Sequence, residues 1–450
     1  MDRQRSHRLR RHGQNLQYFI SKTRQMDQKR QSIDPARVEQ KYHLFLINEA
    51  QGLLTRLMQV QPFEMSMPMV TAAAIPYEAQ KGIYQLIRAG KRRLGKKVRL
   101  FIRRMQGKPP IPFQKCQAAY AVLKLQFNAL LDEFEVFAEV VCQRSEHNTG
   151  IWVAGLDTLA EDALATIRPF SELPPVICYL DRGHGAAIRR ARTRLAGGDE
   201  NPVAVIKIPR ERMVASGIGS SLVHEVGHQV SALLDLIPSI KPFLQELSDK
   251  DPANKAAWLL LSRWISEILS DCWSVALLGI SATTGLMSVV SLPRYFIFRI
   301  SPDDPHPFPW IRVKISLSFG KLLYPEDQWR RLEKLWETMY PPEGLSAPAM
   351  ALIRQLEAVL KRFVRLVIDH RPPKLQGMSL REIMPLEKRT PDQLRQYFQQ
   401  WQSNQQLMAR QPPTLVFAVV GQARADNTIT PFAENQLLSR MLRHWALISI

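Results

Sequence analysis

The strongest constraint on the fold is the segment Ser220-Ser-Leu-Val-His-Glu-Val-Gly-His228, which contains the motif HExxH. On an α-helix, residues i and i+4 lie one above the other, so His224 and His228 can direct both imidazoles at one ion. Glu225 would project beside that ion, where its carboxylate can take a proton from a water molecule. The motif therefore predicts a helix with a metal-binding face.

The rest of this segment fits a helix that packs closely on its neighbours. Leu222, Val226 and Val230 recur at helical spacing and predict a buried back face. Gly227 would let another backbone approach the helix closely. Ser220 and Ser221 are candidates for capping the N-terminus of the helix.

A zinc site on HExxH needs a third protein ligand, and the residues directly after the motif supply no strong one. The metzincin pattern requires a glycine and then a histidine or aspartate, but Ser231 and Leu234 occupy these positions. Asp235 follows among apolar neighbours and is kept only as a reserve ligand. The third ligand is therefore expected elsewhere in the chain.

A second i, i+4 pair, Glu267 and Asp271, begins 39 positions after His228. By itself this pair would be an ordinary polar helix face. Together with HExxH it resembles the gluzincins, the thermolysin-like clan of zinc peptidases. The resemblance implies that Glu267 is the third zinc ligand and that Asp271 accepts a hydrogen bond from a ligand imidazole, expected to be that of His224. A carboxylate in that position fixes the tautomer of the histidine and raises its basicity.

His306 and Arg312 belong to a proline-rich segment that contains HPxxxxR. This element resembles one found downstream of ExxxD in the CAAX prenyl endopeptidase and its HtpX-like relatives. The resemblance implies that His306 donates to the oxyanion of the tetrahedral intermediate, with Arg312 supporting it or binding substrate backbone. The alternative is a proline-rich loop with a surface histidine. Those relatives span the membrane several times and this chain lacks convincing spans, so lipidated or membrane substrates are not expected.

A chain of 450 residues is long enough for more than one subdomain. Strand patterns at 175–180 and 203–208 stand between long helical stretches, so we predict a mainly α fold with a small β-sheet (α+β). The candidate helices after the second strand are at about 218–236, 254–280, 310–323, 326–340, 346–369, 391–409 and 431–446. The expected organisation is a basic arm at 1–35, a helical N-terminal region at 36–149, a zincin-like catalytic domain at 150–345 and a helical C-terminal region at 346–450.

Residues 272–292 form the one stretch that raises the question of a membrane span. They are uncharged over 21 positions, long enough to cross a bilayer. However, Ser, Thr and Gly dilute the stretch, and it continues the helix predicted to carry Glu267. Because a ligand-bearing helix needs a water-accessible site beside it, we predict a buried core helix and no integral membrane association.

The N-terminus is basic, but no apolar core follows it, so no signal peptide is predicted. The four cysteines are scattered without a CxxC pair, which fits synthesis in a reducing compartment. We therefore expect the protein in the cytoplasm as synthesised. Export as an effector by a non-classical route stays an open alternative.

The chain carries 61 Lys and Arg against 41 Asp and Glu, a formal charge of +20 that predicts attraction to an anionic partner. Residues 88–108 contain ten cations and no acid. The segment could bind a membrane surface, an acidic protein or nucleic acid, or merely form a solvated face. Nucleic acid is the least favoured, because no known nucleic-acid fold accompanies the segment. The candidate patch consists of Arg88, Lys91, Arg92, Arg93, Lys96, Lys97, Arg99, Arg103 and Arg104.

The leading functional prediction is a zinc-dependent endopeptidase in which a metal-activated water attacks a peptide bond and Glu225 is the general base. The strand at 203–208 would then be either an interior strand or an exposed edge that pairs with extended substrate, as in zincins. One alternative is a basic binding or effector protein with a structural zinc site. Another is a nucleic-acid-associated protein with proteolysis as a secondary activity. The sequence does not predict an oligomeric state.

Overall fold

The computed structural model describes residues 35–61, 67–107, 111–183, 185–195, 198–210, 215–301 and 303–448. The basic arm predicted for residues 1–35 therefore lies outside the described residues, apart from Pro35.

Helices dominate the described chain and a single small sheet accompanies them, so the predicted mainly α class with a small β component is confirmed. The strands are β1 (Val176–Asp181), β2 (Ala187–Arg189) and β3 (Ala204–Pro209). The helices before and just after the sheet are α1 (Pro35–Gln59), α2 (Tyr77–Met105), α3 (Phe113–Cys142), α4 (His147–Ala165), α5 (Ala215–Leu233), α6 (Leu236–Lys250), α7 (Lys255–Arg263), α8 (Ile265–Leu278) and α9 (Ile280–Val290). The later helices are α10 (Arg294–Ile297), α11 (Pro309–Leu323), α12 (Asp327–Met339), α13 (Ala347–Asp369), α14 (Leu380–Ile383), α15 (Pro391–Ser403), α16 (Gln405–Ala409), α17 (Pro413–Ala425) and α18 (Pro431–Ile448).

The described residues divide into two compact units, one from 35–60 and 89–131 and the other from 61–88 and 132–448, each without the gaps given above. In the larger unit, one continuous apolar core runs from Trp152 to Trp445 and includes side chains from the sheet and from most of the later helices. Because this core continues past residue 346, it does not locate the domain boundaries predicted at residues 150 and 346, which stay predictions.

The smaller unit is helical. Leu53 of α1, Leu94 and Val98 of α2 and Leu130 of α3 are all buried. Gly90 lies so close to α3 that an added Cβ would be 2.4 Å from Cδ1 of Leu130. The apolar side of α2 in this unit is therefore used for packing.

The sheet has the order β1-β3-β2, with β1 parallel and β2 antiparallel to β3. The strand predicted at 203–208 is thus β3, and it is interior. Among the described strands β2 is an edge strand, and the sequence pattern did not predict it. β2 is only three residues long, ends on Arg189 and is followed by Arg190. Its alternation of polar and apolar residues is therefore too short to predict a strand.

Helix α5, which carries HExxH, is held between α8 and α9. A Cβ added to Gly227 would lie 2.7 Å from Cα of Ser270 on α8, so only glycine permits this approach. On the other side, a Cβ added to Gly285 of α9 would lie 2.6 Å from Cβ of Ser220. The two glycines therefore let α5 meet both neighbours at close range.

The predicted capping role of Ser220 and Ser221 is wrong, because α5 begins at Ala215 and both serines lie inside it. The hydroxyl of Ser220 instead donates to the carbonyl of Ala282 on α9, at 3.0 Å. The apolar stripe of Leu222, Val226 and Val230 is buried as predicted.

The uncharged stretch 272–292 is divided between α8 and α9 instead of forming one helix. The break falls at Gly279, whose φ of +60° ends α8 in a conformation that other residues rarely adopt. Both helices contribute buried side chains to the core, including Trp273 and Met287. Within the described residues, no helix is long and apolar enough to cross a membrane.

Candidate metal centre

The two histidines of HExxH lie one turn apart on α5, and their rings meet edge to face with centroids 4.9 Å apart. Both side chains are mostly buried, 13% exposed for His224 and 16% for His228. The apolar back face of α5 packs into the core, so its polar face opens towards α8.

Helix α8 brings Glu267 to these histidines. Its Oε2 lies 3.3 Å from Nε2 of His224, and its Oε1 lies 3.3 Å from Nε2 of His228. One ligand atom from each of the three residues can be chosen so that all lie within 4.8 Å of one another. The close approach of α5 and α8 at Gly227 makes this convergence possible.

These donors fit a zinc ion by chemistry and by spacing. Two atoms about 2.05 Å from a zinc ion at the tetrahedral angle lie about 3.3 Å apart. Each imidazole lies at that distance from one oxygen of Glu267, His224 from Oε2 and His228 from Oε1, so the carboxylate reaches both rings but through different atoms. Two imidazoles and one carboxylate are also the donor set of many catalytic zinc sites, in which a fourth position stays open. No other described group of three such side chains is brought together in this way.

Asp271 lies behind His224, one turn after Glu267. Its Oδ1 is 2.7 Å from Nδ1 of His224, an ion-pairing distance, although the N–H of the ring is not aligned on that oxygen. A carboxylate beside Nδ1 favours the tautomer with hydrogen on Nδ1, which leaves the lone pair on Nε2 for a metal. In the metal-free cluster burial opposes a charged imidazole, but Asp271 raises the pKa of His224 to about 9, so a metal ion would have to displace the proton from Nε2.

Arg312 of α11 holds this carboxylate from the other side. Its Nε donates to Oδ2 of Asp271 at 2.7 Å and its Nη2 donates to Oδ1 at 2.9 Å, a two-point contact. The same Nη2 also donates to Glu267 at 3.3 Å and to Nε2 of His224 at 3.4 Å. Burial opposes ionisation of Asp271, but Arg312 and His224 lower the pKa of its carboxyl to about 2. The guanidinium is thus committed largely to the two carboxylates of α8.

His228 also has a polar neighbour on its Nδ1 atom, which lies 3.2 Å from the hydroxyl of Ser266. This serine precedes Glu267 on α8, so one helix supports both histidines of α5. Nothing in the sequence singles out Ser266, because a serine in a helix carries no signal of its own.

Glu225 lines the cavity beside His224 and is 8% exposed. Burial raises the pKa of its carboxyl, while the two neighbouring histidines act in the opposite direction. It therefore shares the cleft with His224, His228 and Glu267, where a carboxylate could act as a base on a water molecule.

His306 lies at the mouth of the cavity and is half exposed. Its Nε2 is 3.4 Å from Oε2 of Glu267. Asp304 accepts from both the backbone N–H and Nδ1 of His306, at 2.9 and 2.8 Å. This carboxylate fixes the ring and favours hydrogen on Nδ1. Asp304 was not predicted as a site residue, although it lies two residues before the histidine.

The cavity has a volume of about 550 Å³. One side consists of β2 with the residues around it and the polar face of α5; the other consists of α8, α9 and α11. Leu286, Val289 and Val290 give the α9 wall an apolar surface. Asp235 is not a lining residue and instead pairs with Lys374 at 2.7 Å, so the reserve ligand lies away from the cluster.

The basic patch lies on α2. Its most regular part, which we call the cationic face, consists of Arg92, Lys96, Arg99 and Arg103, all exposed and spaced to lie along one side of the helix. Among the described residues, no ion pair joins these four side chains to an acid. Of the remaining candidates, Arg88, Lys97 and Arg104 are exposed and Lys91 and Arg93 are half-buried, whereas Lys108 lies outside the described residues.

Comparisons of this chain with protein-family models, with curated proteins and with solved structures find no match. The resemblance to the gluzincins therefore rests on the motif residues and on the geometry of the side chains that carry them.

Proposed function

We propose that the protein is a zinc-dependent endopeptidase whose metal is held by His224, His228 and Glu267. The observation that carries the proposal is the convergence of these three side chains, each imidazole 3.3 Å from an oxygen of the Glu267 carboxylate, in a cleft that Glu225 also lines. A cleft of about 550 Å³ opens onto the cluster, so a polypeptide segment could reach it.

When bound, zinc would polarise the peptide carbonyl and lower the pKa of a water molecule towards neutrality. Glu225 takes the proton from the attacking water and transfers it to the nitrogen of the leaving amine. Burial supports this role, since it raises the proton affinity of the Glu225 carboxylate above that of an exposed glutamate.

Asp271 and Arg312 act as positioning residues in this proposal. Asp271 keeps hydrogen on Nδ1 of His224, and the two-point contact from Arg312 keeps Asp271 ionised and in place. The role considered for Arg312 in binding substrate backbone is less favoured, because Asp271 already occupies two of its nitrogens. Arg312 still adds positive charge beside the cluster, where negative charge develops during attack.

His306 is the candidate donor to the oxyanion. Asp304 holds its Nδ1, so Nε2 faces the cleft beside Glu267. In its doubly protonated form the ring can donate from Nε2 to a developing negative charge. The edge strand β2 is the candidate for pairing with extended substrate backbone, the role that edge strands have in zincins.

The proposal is tested by measuring zinc content and peptide cleavage together. We expect about one zinc per parent chain, and loss of most of it in His228→Ala. Cleavage of an unfolded protein substrate should stop with a chelator and return when zinc is restored. A parent chain that binds zinc but cleaves no member of a broad peptide library would contradict the enzymatic role and leave the structural zinc site as the better account.

A second candidate function is binding of an anionic partner through the cationic face of α2. It is favoured by the four exposed cations of this face, on a helix whose apolar residues Leu94 and Val98 are buried in packing. Such a surface suits a polyanion or an anionic membrane surface contacted from outside, instead of insertion into lipid. Binding of this kind should weaken steeply with added salt.

A further inference from the structure

The edge strand β2 has two chemically different faces. Ile188 pairs with Ile206, whose side chain is in the core that includes α5, so this face of β2 points towards the HExxH helix. Because side chains alternate along a strand, Ala186 and Arg190 continue the same face, and Arg189 belongs to the other. Ala186, Ile188 and Arg190 line the cavity and Arg189 does not, although Ala187 at the start of β2 lines it as well.

The backbone next to Arg190 is fixed relative to the catalytic helix. The N–H of Ala191 donates to Oε1 of Gln229 at 2.9 Å, and Gln229 directly follows His228 on α5. The carbonyl of Arg190 accepts from the side chains of Thr193 and Asn201, at 2.7 and 3.0 Å. The guanidinium is therefore carried by an anchored segment at the wall of the cleft.

This guanidinium differs from the paired arginines near it, and from Arg189 and Arg194 in being less exposed. Arg312 contacts two carboxylates in the same cavity, and Arg192 pairs with Glu172 at 3.3 Å. Arg190 is half-buried, and among the described residues its side chain has neither an ion-pair nor a hydrogen-bond partner. The N–H donors of a guanidinium favour a planar acceptor that they can contact at two atoms, such as a carboxylate. A half-buried guanidinium without such a partner among the described residues is therefore suited to receive one from a ligand.

The charges of the residues that line the cleft indicate the chemistry of the group that Arg190 would bind. Glu225, Glu267 and Asp271 contribute three negative charges to the lining. Arg312 and a divalent cation would balance all three. Among the residues that line the cavity, Arg190 is then the cation without a compensating negative charge. A ligand with a negative charge would therefore bind more favourably than a neutral one.

The residues of α9 that line the cavity indicate a second property of that ligand. Leu286, Val289 and Val290 offer an apolar surface within the same cavity as Arg190. A ligand that fills the cleft would therefore place an apolar side chain on α9 and an anionic group at β2.

We propose that Arg190 binds a carboxylate of the peptide substrate, either an acidic side chain or the C-terminal carboxylate, close to an apolar residue. This inference rests on the proposed peptidase function and adds a substrate class to it. Arg190 is thus a specificity-determining residue of the cleft.

The test measures peptide binding, so it does not depend on turnover. Three octapeptides with a Phe-Leu centre carry a neutral dye at the N-terminus. One has Glu on both sides of the centre and an amidated C-terminus, the second has Gln at those positions and the same amide, and the third has Gln and a free C-terminal carboxylate. Dissociation constants are measured by fluorescence anisotropy with full-length Glu225→Gln loaded with zinc, alone and combined with Arg190→Gln or, as the matched control, Arg189→Gln.

We expect the Glu peptide or the free-carboxylate peptide to bind about tenfold more tightly than the neutral peptide. Whichever of the two is preferred identifies the source of the carboxylate. Arg190→Gln should abolish the preference, and Arg189→Gln, an exposed cation on the opposite face, should retain it.

Equal affinity for all three peptides, absence of binding to all three, or equal loss in both arginine variants would overturn the inference. Its failure can be told apart from failure of the proposed function. Cleavage by the parent without a carboxylate preference refutes only the role of Arg190. An Arg190-dependent preference in a parent that hydrolyses no peptide refutes only the peptidase function.

Discussion

The candidate metal centre and the cationic face of α2 are both rich in ionisable side chains, but the charges are arranged in opposite ways. At the metal centre the charges are buried and paired, as in the two-point contact of Arg312 with Asp271. Along α2, Arg92 and Arg99 are exposed and have no acidic partner among the described residues. Buried, paired charge fixes geometry, whereas exposed, unpaired charge provides a long-range field that salt can screen.

The comparison predicts that single substitutions have large, local effects at the candidate metal centre and small, additive effects on α2.

The largest effect is expected at Glu225. Glu225→Gln should lower kcat by about a hundredfold to ten-thousandfold, because the amide cannot accept the proton of the attacking water. Zinc content should stay unchanged. Steady-state kinetics and metal analysis check this, with the exposed Glu246→Gln as a control that retains activity; a variant as fast as the parent would remove Glu225 from the mechanism.

The support of His224 is tested by Asp271→Asn. The amide loses the negative charge that favours hydrogen on Nδ1 and leaves Arg312 without its two-point partner. Zinc affinity should fall by about tenfold to a hundredfold, measured by competition with a chelator. The exposed Asp249→Asn serves as the control. Unchanged affinity would show that Asp271 contributes nothing to the ligand geometry.

The close contact of α5 and α8 is tested by Gly227→Ala. The added methyl would lie 2.7 Å from Cα of Ser270 and must push the helices apart, at a cost of about 1–3 kcal/mol in the free energy of unfolding. Zinc content should fall with it, since Glu267 moves away from the histidines. Gly217→Ala in the same helix meets nothing within 4 Å and should leave stability and zinc content intact.

Substitutions on α2 should leave the metal centre alone. Arg92→Glu with Arg99→Glu should weaken binding to a DNA duplex or to phosphatidylserine vesicles. On DNA, the slope of log affinity against log salt should fall by about one unit for each phosphate that is no longer neutralised. Zinc content and cleavage should match the parent. The control is the same charge change in two exposed residues of α12, Arg331→Glu with Lys334→Glu. Equal weakening in both double variants would mean that only net charge matters.

The smallest effect is expected at His370, a buried histidine whose ring contacts a serine hydroxyl, whereas the ring of His224 lies beside a carboxylate. His370 is 7% exposed, its Nε2 lies 2.8 Å from the hydroxyl of Ser239, and burial lowers its pKa. The unfolded chain therefore binds the proton more readily, so stability is lost as the pH falls through the ordinary histidine range. Urea unfolding at about pH 7.5 and about pH 5 should show a smaller pH-dependent loss in His370→Gln than in the parent.

The helical elements that the sequence predicted well are those with a strong 3.6-residue contrast between polar and apolar positions. Helix α13, predicted at 346–369, is observed at Ala347–Asp369. Helix α17 was missed, because its residues Thr414 to Ala423 are buried on all sides and show no periodic contrast. The single helix predicted at 254–280 is instead two, α7 and α8, separated at Trp264, and Gly279 divides α8 from α9. Sequence periodicity does not locate these breaks.

The sequence by itself determined which residues carry the chemistry of the candidate site. The i, i+4 spacing places His224 with His228, and Glu267 with Asp271, each on one helix face, because that spacing is a local property of the α-helix. Tertiary structure alone decided which faces meet. It brought Ser266 to His228, turned Arg312 onto Asp271, and placed Arg190 at the wall of the cleft without an acidic partner in the described part of the chain. These contacts join residues far apart in the chain, and their distances depend on how closely the helices pack, which no local pattern encodes.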